Sequence, residues 1–433
     1  MTLSLITFLV TIVLMIIGIS FKPTITIKNI RVQTFWIITS LGAAFALITK
    51  QISFQCLSSN LTNGSMNPLK ILLLFISLSM VSISLDELNF FNYLSSKALQ
   101  RSKNNQYKIF FIVYLLVASL TIFTSNDIVI LTFTPFIILF SKKAKINPLP
   151  YLLMEFVNAN TYSMLLSIGN PTNIYLSASK GIAFLDYFSK MWLATIFAGI
   201  ATLSIILLIF HKDLAKPMEV LQNERVEVKN KPLTIINLSI LAITTILLAI
   251  SNYIGLEMWS VTLVAMISLT FVLLIFAIKE KDFSNLQDTY KRLPYNLIPF
   301  VISMFILVLS LKENGVTDYL LKALHFFSVN DFATAFAYSI SSTLFDNIIN
   351  NIPMSILYSS LLSNESNLAT YATIIGSNIG AYLSPIGALA GIMWMSLLKK
   401  YEVRFTYLQF VKYGLILVPI ALISSTFGLL LLC

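Results

Sequence analysis

The chain has 433 residues, 57% of them hydrophobic and 11% charged, with a net charge of +10 and a mean hydropathy of +0.83. Soluble globular chains carry roughly 25% charged residues, so an ordinary soluble domain is excluded. The basic residues gather at the ends of apolar runs rather than in one patch, which argues against a nucleic-acid surface and suits membrane orientation. Cys56 and Cys433 are the only cysteines, which gives no basis for a disulfide framework or a thiolate metal site.

In chain order, apolar runs near 2–20, 34–50, 69–85, 186–210, 233–251, 259–279, 294–311 and 411–432 predict helices suited to crossing a bilayer at about 1.5 Å per residue. The alternating segments of roughly ten residues that mark a β-barrel are not seen in the sequence. The expected fold class is therefore an all-α polytopic membrane protein. The first run lacks a basic start and a small-residue cleavage pattern, so it reads as a retained helix rather than a removed signal.

Between these runs lie two interrupted pairs. Segment 107–141 is broken at Thr124-Ser125-Asn126-Asp127, with Pro135 further on, and segment 331–361 at Phe345-Asp346-Asn347 and Asn350-Asn351-Ile352-Pro353. Their arms of roughly 16 residues fall short of a core about 30 Å thick, which predicts re-entrant hairpins. Segments 150–180 and 368–398 contain Gly169-Asn170-Pro171-Thr172-Asn173 and Ser377-Asn378-Ile379-Gly380 through Ser384-Pro385-Ile386-Gly387, and read as discontinuous crossing helices.

With the N-terminus outside and neither hairpin crossing, the interior loops hold 23 of the 29 basic residues, leaving Lys50, Lys70, Lys180, Lys190, Lys312 and Lys322 outside. The opposite orientation contradicts the positive-inside rule. The expected layout is two inverted repeats, 1–211 and 233–433, each with five transmembrane helices, one of them discontinuous, plus one re-entrant hairpin. The cytoplasmic linker 212–232 joins them, and both termini lie outside. Ser84-Leu85-Asp86-Glu87 with Tyr93-Leu94 is echoed by Ser310-Leu311-Lys312-Glu313 with Tyr319-Leu320, each after the third helix of its half.

A helix opened inside the membrane frees backbone groups that must be buried in protein or face water. Half-helix N-termini then offer positive dipole ends, and unwound carbonyls can hold a cation. Four breaks in repeat order therefore point to a transport path rather than to isolated kinks. Within the breaks, Ser125, Asn126, Asp127, Gly169, Asn170, Thr172, Asn173, Asp346, Asn347, Asn350, Ser377, Asn378, Ser384 and Pro385 are the expected substrate- and ion-binding residues. A buried carboxylate takes up protons more readily, and Asp127, in the better-formed motif, is the expected coupling residue.

Glu155 reads as an interfacial cap, Asp86 and Glu87 as solvated, and His211 and His325 as loop-bordering rather than relay groups. The apolar segments carry no Lys or Arg at their centres, so a multiply charged anion would depend on helix dipoles and bound cations, with sodium one candidate. A metalloid would bind as a neutral hydroxide through hydrogen bonds, because no cysteine lies in the membrane core. The sequence holds no phosphate-binding glycine loop and no His-Glu-x-x-His, which argues against an enzyme and leaves any ATP drive to a separate subunit. A passive channel is the other class that the breaks allow.

Over nearly its whole length the chain resembles the ion transporter superfamily, near the arsenical pump membrane subunit and citrate-transporter-like permeases. The resemblance rests on Ser125-Asn126-Asp127 with Thr134-Pro135, on Gly169-Asn170-Pro171-Thr172-Asn173, and on Ser384-Pro385-Ile386-Gly387-Ala388-Leu389-Ala390 leading to Trp394. It implies inverted repeats with hairpin tips and breaks holding substrate and coupling ion, a homodimer, and elevator motion. Ile128-Val129 and the second hairpin tip depart from the arsenite pattern, which keeps a sodium-coupled di- or tricarboxylate permease, or a sodium/proton antiporter, as the alternative.

Overall fold

The structure, a computed structural model, describes residues 2–21, 24–27, 30–62, 67–100, 105–219, 226–251 and 254–433. Part of the 212–232 linker lies outside these residues. The first half of the chain forms α1 (Thr2–Phe21), α2 (Thr34–Ile48), α3 (Phe54–Thr62), α4 (Pro68–Glu87), α5 (Phe90–Gln100), α6 (Gln106–Phe123), α7 (Asn126–Ala144), α8 (Leu149–Tyr162), α9 (Pro171–Ser179) and α10 (Phe184–Leu214). The second forms α11 (Lys231–Ile250), α12 (Met258–Glu280), α13 (Ser284–Lys291), α14 (Leu297–Glu313), α15 (Val316–Phe327), α16 (Asp331–Ile349), α17 (Asn351–Leu361), α18 (Asn367–Gly380), α19 (Leu389–Lys400) and α20 (Tyr407–Leu430).

The expected all-α class needs one amendment. Strands β1 (Thr24–Ile27) and β2 (Ile30–Gln33) pair antiparallel between α1 and α2, with Thr24 opposite Gln33. Their alternating Thr, Ile and Val residues suit a short ribbon.

Local chemistry sets the helix boundaries. Asn67, Asn105, Asn230 and Asn330 cap α4, α6, α11 and α16 by accepting backbone N–H groups. Thr406 and Gln409 form a reciprocal capping box on α20. The echoed Ser-Leu motifs lead into matching turns: Asn89 (φ 64°) between α4 and α5, and Gly315 (φ 69°) between α14 and α15, which are bent by 79°. Asp86 and Glu87, expected to be solvated, instead receive Arg292 at 2.6 and 2.5 Å. The pairing ties the end of α4 to the end of α13.

Packing repeats with a shift of ten helices. The pairs α2–α14 and α12–α4, α6–α8 and α16–α18, α8–α10 and α18–α20, and α7–α19 and α17–α9 all form, and α10 lies along α20. Among the described residues, six helices are long and apolar enough to cross a membrane, or seven if the bent α14–α15 pair is one span. The arm lengths correct one step in the hairpin argument. Helices α6, α7 and α16 have 18, 19 and 19 residues, and α6 is itself among the six, so only the 11-residue α17 is plainly short.

The tightest approach is α16 to α18. A Cβ on Gly376 would overlap Ser342 Oγ and the Ser339 carbonyl, and one on Gly380 would sit 2.8 Å from Asp346 Oδ2. Gly376→Ala is therefore expected to destabilise the fold by about 1–3 kcal/mol through overpacking. The check is the thermal-unfolding midpoint of the detergent-solubilised protein; an unchanged midpoint would show that this approach is not needed.

Candidate functional site

The first hairpin tip is stitched to the first broken helix. At the start of α7 the Asn126 backbone N–H donates to Gly169 O (3.2 Å), and its Nδ2 donates to Asn160 Oδ1 (3.1 Å). The gap between α8 and α9 is held from within. Asn173 Nδ2 donates to Ser163 O (2.8 Å), and Asn170 caps α9 by accepting Thr172 N–H (3.2 Å). Buried backbone carbonyls released by the break thus find amide donors, as burial requires.

The second tip repeats the device with different residues. Asn347 Nδ2 donates to Thr343 O (2.8 Å) and Gly380 O (3.0 Å), while its Oδ1 accepts from Ser384 Oγ (2.6 Å). Asn350 Nδ2 donates to Ile386 O (2.8 Å) in the single turn Pro385–Gly387. Asn350 itself separates α16 from α17 at φ 76°, ψ 153°, a region that costs a residue with a Cβ of order 1–3 kcal/mol.

Asn378 joins the halves. Its Oδ1 accepts from Ser163 Oγ (2.9 Å) and Asn170 Nδ2 (3.0 Å), and its Nδ2 donates to Asn173 Oδ1 (2.6 Å) and Ile374 O (2.8 Å). Every side chain in this cluster is buried. Around it, Ser125 Oγ, Asn126 Oδ1, Thr172 Oγ1, Asn351 Oδ1 and Ser377 Oγ are buried without a hydrogen-bond partner among the described residues. The cluster therefore offers hydroxyl and amide groups with capacity to spare, beside the N-termini of α7, α9 and α17.

The two acids of the interruptions stand in different settings. Asp127 is only partly buried, in the first turn of α7, where the helix dipole favours a negative charge. Asp346 is fully buried on α16 against Gly380, and neither carboxylate oxygen has a hydrogen-bond partner among the described residues. No described contact joins the two. Glu155 is no interfacial cap: it is fully buried, accepting from Thr134 Oγ1 (3.1 Å to each oxygen) and Trp394 Nε1 (3.3 Å). Among the described residues, no group of three or more His, Cys, Asp and Glu side chains could hold a metal ion.

Sequence reasoning missed Asn160 and Ser163, which carry the contacts of Asn126 and Asn378. The run Asn158-Ala159-Asn160 upstream of the Gly-Asn-Pro break was the available signal.

A cavity of about 640 Å³ opens beside the ends of α4, α9 and α12, lined by Lys70, Lys180, Glu257 and Trp259 among others. Lys70 pairs with Glu257 at 2.6 Å, and hydrogen bonds from Lys70 and Trp259 hold that carboxyl below its usual range. Ile71 also borders a small deeper cavity between α4, α14, α9 and α17, which reaches Thr172 and Ser355.

Two solved structures share this fold. The Alcanivorax borkumensis YdaH transporter aligns over 99% of this chain and 97% of its own, with TM-score 0.60 and 13% identity. Neisseria gonorrhoeae MtrF, from a class of antimetabolite efflux pumps, aligns over 99% and 94% with TM-score 0.56 and 13% identity. Relatives in sequence include a Bacillus subtilis (strain 168) protein assigned by name to the arsenical pump membrane proteins, 27% identical over 80% of this chain and 83% of its own. The arsenical pump membrane proteins of Escherichia coli and Yersinia enterocolitica are 24% and 23% identical, each over 79% of this chain and 82% of theirs.

A bundle of membrane-length helices with paired chain breaks meeting in one buried polar cluster, in such company, is a multi-pass membrane transporter. The profile of the citrate transporter family matches residues 2–371, and the chain belongs to that family.

Asn378→Ala removes three side-chain contacts between the halves and takes a partner from Asn170 Nδ2 and Asn173 Oδ1, while Ser163 keeps its bond to Asn160 O. The expected result is a loss of about 1–3 kcal/mol in stability together with loss of solute binding, read by thermal unfolding with and without arsenite or citrate.

Proposed function

We propose that the protein is a secondary active transporter of a small metalloid hydroxide, arsenite- or antimonite-like, or of an inorganic oxyanion, coupled to protons or sodium. The observation that carries this reading is the Asn378 cluster: neutral hydroxyls and amides at three helix N-termini, with no cationic side chain among them. Such a lining suits a polyhydroxy solute better than a multiply charged one. The names of the sequence relatives point the same way.

In this reading the two halves are inverted repeats, the hairpins are re-entrant, and the α4, α9 and α12 ends face outside, as the loop charges favour. The solute enters by the large cavity, and the hairpins and broken helices move against α4 and α14 as an elevator. Asp127 and Asp346 flank the path as cation or proton seats, with sodium as the alternative coupling ion. The protein acts in the cell membrane as a homodimer and accepts a separate ATPase subunit as an optional partner.

Orientation has a direct check. In a chain lacking Cys56 and Cys433, Lys180→Cys is expected to react with a membrane-impermeant maleimide in intact cells, and Lys400→Cys only after permeabilisation. The reverse pattern would invert the topology. The solute is tested by thermal shift with arsenite, antimonite, citrate, succinate, sulfate and phosphate, with and without sodium. A ligand at about 100 times its Kd stabilises by about 2.7 kcal/mol. The family's description favours a second reading, a sodium-coupled carboxylate permease, and stabilisation by citrate only with sodium would select it. Asp127→Asn is expected to change the pH profile of transport; an unchanged profile removes that residue from coupling.

A further inference from the structure

Glu155 is the one buried acid that the chain breaks do not use. It is fully buried on α8, and its two partners lie on different elements: Thr134 on α7 and Trp394 on α19. Trp394 is itself enclosed by Phe156, Phe405 and Phe410, with ring centroids 5.0–5.8 Å away. No described Lys, Arg or His pairs with Glu155. The buried titratable groups on α8 and the helices packed against it are Tyr151 on α8, Tyr114 on α6, Tyr187 on α10 and Tyr371 on α18, with Asp127 on α7 and Tyr162 on α8 partly buried; Tyr151 donates to Gln106. Tyr114 and Tyr187 spend their hydroxyl protons on Gly199 O and Met164 O. The nearest lysines by sequence, Lys142 and Lys399, stand roughly 12 and 8 Å further along α7 and α19 at about 1.5 Å per residue.

An ionised carboxylate offers about four lone-pair sites, and here it would meet two neutral donors in an aromatic wall. Isolating such a charge costs several kcal/mol. A neutral acid fits the same seat: Trp394 Nε1 still donates to Oε2, and the carboxyl O–H donates to Thr134 Oγ1, reversing the roles across that pair.

Helix packing alone does not explain the acid. Glu155 is the seventh residue of α8, and the seventh of α18 is Thr373. Thr134 and Trp394, counted likewise, correspond to Ser359 on α17 and Leu176 on α9. All three counterparts are buried, so the second half closes the equivalent seat without a carboxyl or an indole.

We infer that Glu155 carries a proton exchanged during transport, in addition to any seat at Asp127 or Asp346, at a site on the basic-loop side of the break cluster; this rests on the transporter reading above. Asn160, which anchors the first hairpin tip through Asn126, lies about 7.5 Å further along the same helix. In the closed arrangement the acid is neutral. Where the transport cycle opens the Lys142–Lys399 face, water from that side reaches the carboxyl. The O–H bond then breaks, the proton passes to water, and the carboxylate remains until a proton returns. The seat thereby ties the protonation state to water access at the point where α7, α8 and α19 meet.

The test compares wild type, Glu155→Gln and Glu155→Asp in proteoliposomes, with arsenite as the solute. In wild type a pH gradient of about one unit supports up to about tenfold accumulation per proton exchanged. Glu155→Gln keeps the two hydrogen bonds without a titratable proton. It is expected to retain arsenite exchange at equal pH within about twofold of wild type while losing gradient-driven accumulation, and Glu155→Asp to restore part of it. Loss of exchange and accumulation together in a monodisperse Glu155→Gln protein, or retention of both, would overturn the inference. A second readout needs no solute: infrared difference spectra across a pH step should show a buried carboxylic C=O band in wild type that is missing in Glu155→Gln. Identical spectra would refute the assignment even if arsenite proves not to be the solute, whereas a missing band with no arsenite movement in wild type would refute only the solute.

Discussion

One amide holds the centre of this protein together. Asn378 accepts from Ser163 and Asn170 and donates to Asn173, so a single side chain from the second broken helix satisfies groups on both sides of the first. Opening two helices inside a membrane-buried core is tolerable only because the freed polar groups meet one another. The remaining polar contacts extend from this point: Asn126 to Asn160 in one half, and Asn347 and Asn350 to the Ser384–Ile386 turn in the other. The unpartnered hydroxyls and amide oxygens beside it mark where the same logic leaves capacity for a solute.

The arrangement suggests why the chemistry of the site is neutral. Helix N-termini bring partial positive charge without a cationic side chain, and the side-chain bonds of Asn378 run to Ser163, Asn170 and Asn173 rather than to an acid. Glu155 and Asp346 occupy separate seats on different helices, one held by two donors and the other by none. The neutral amides of the cluster and the buried acids are thus different residues of the packed core.

Much of this was legible in the residues. The long apolar runs form helices, and Thr124-Ser125, Asn350, Gly169-Asn170 and the Ser384–Gly387 stretch fall at helix boundaries, because Pro, Gly and consecutive amides disfavour continuous helix inside a membrane. The cluster residues Asn126, Asn170, Asn173, Asn347, Asn350, Asn378 and Ser384 were named from pattern alone, and the structure brings them into contact within and across the breaks. Hairpin arm length was misjudged, because the polar residues at the tips continue α7 and α16 as helix rather than ending them. Glu155 read as a cap because a sequence cannot show that Thr134 and Trp394, 21 and 239 positions away, converge on it. Likewise nothing local in Asp86-Glu87 announces Arg292, some 200 residues later.

The exchange of partners between halves bears on how the chain is made. Helix α7 packs on α19 and α17 on α9, so each hairpin's second arm rests on a helix from the opposite half. Synthesis delivers α7, α8 and α9 well before α17 and α19 exist. Until the last third emerges, Glu155 lacks its indole, and Asn170 and Asn173 lack their shared amide. The amino-terminal half must therefore wait in the bilayer with its polar interior unfinished, a stage at which misassembly is the natural hazard. The contacts that join the halves can form only after α17, α18 and α19 have been made.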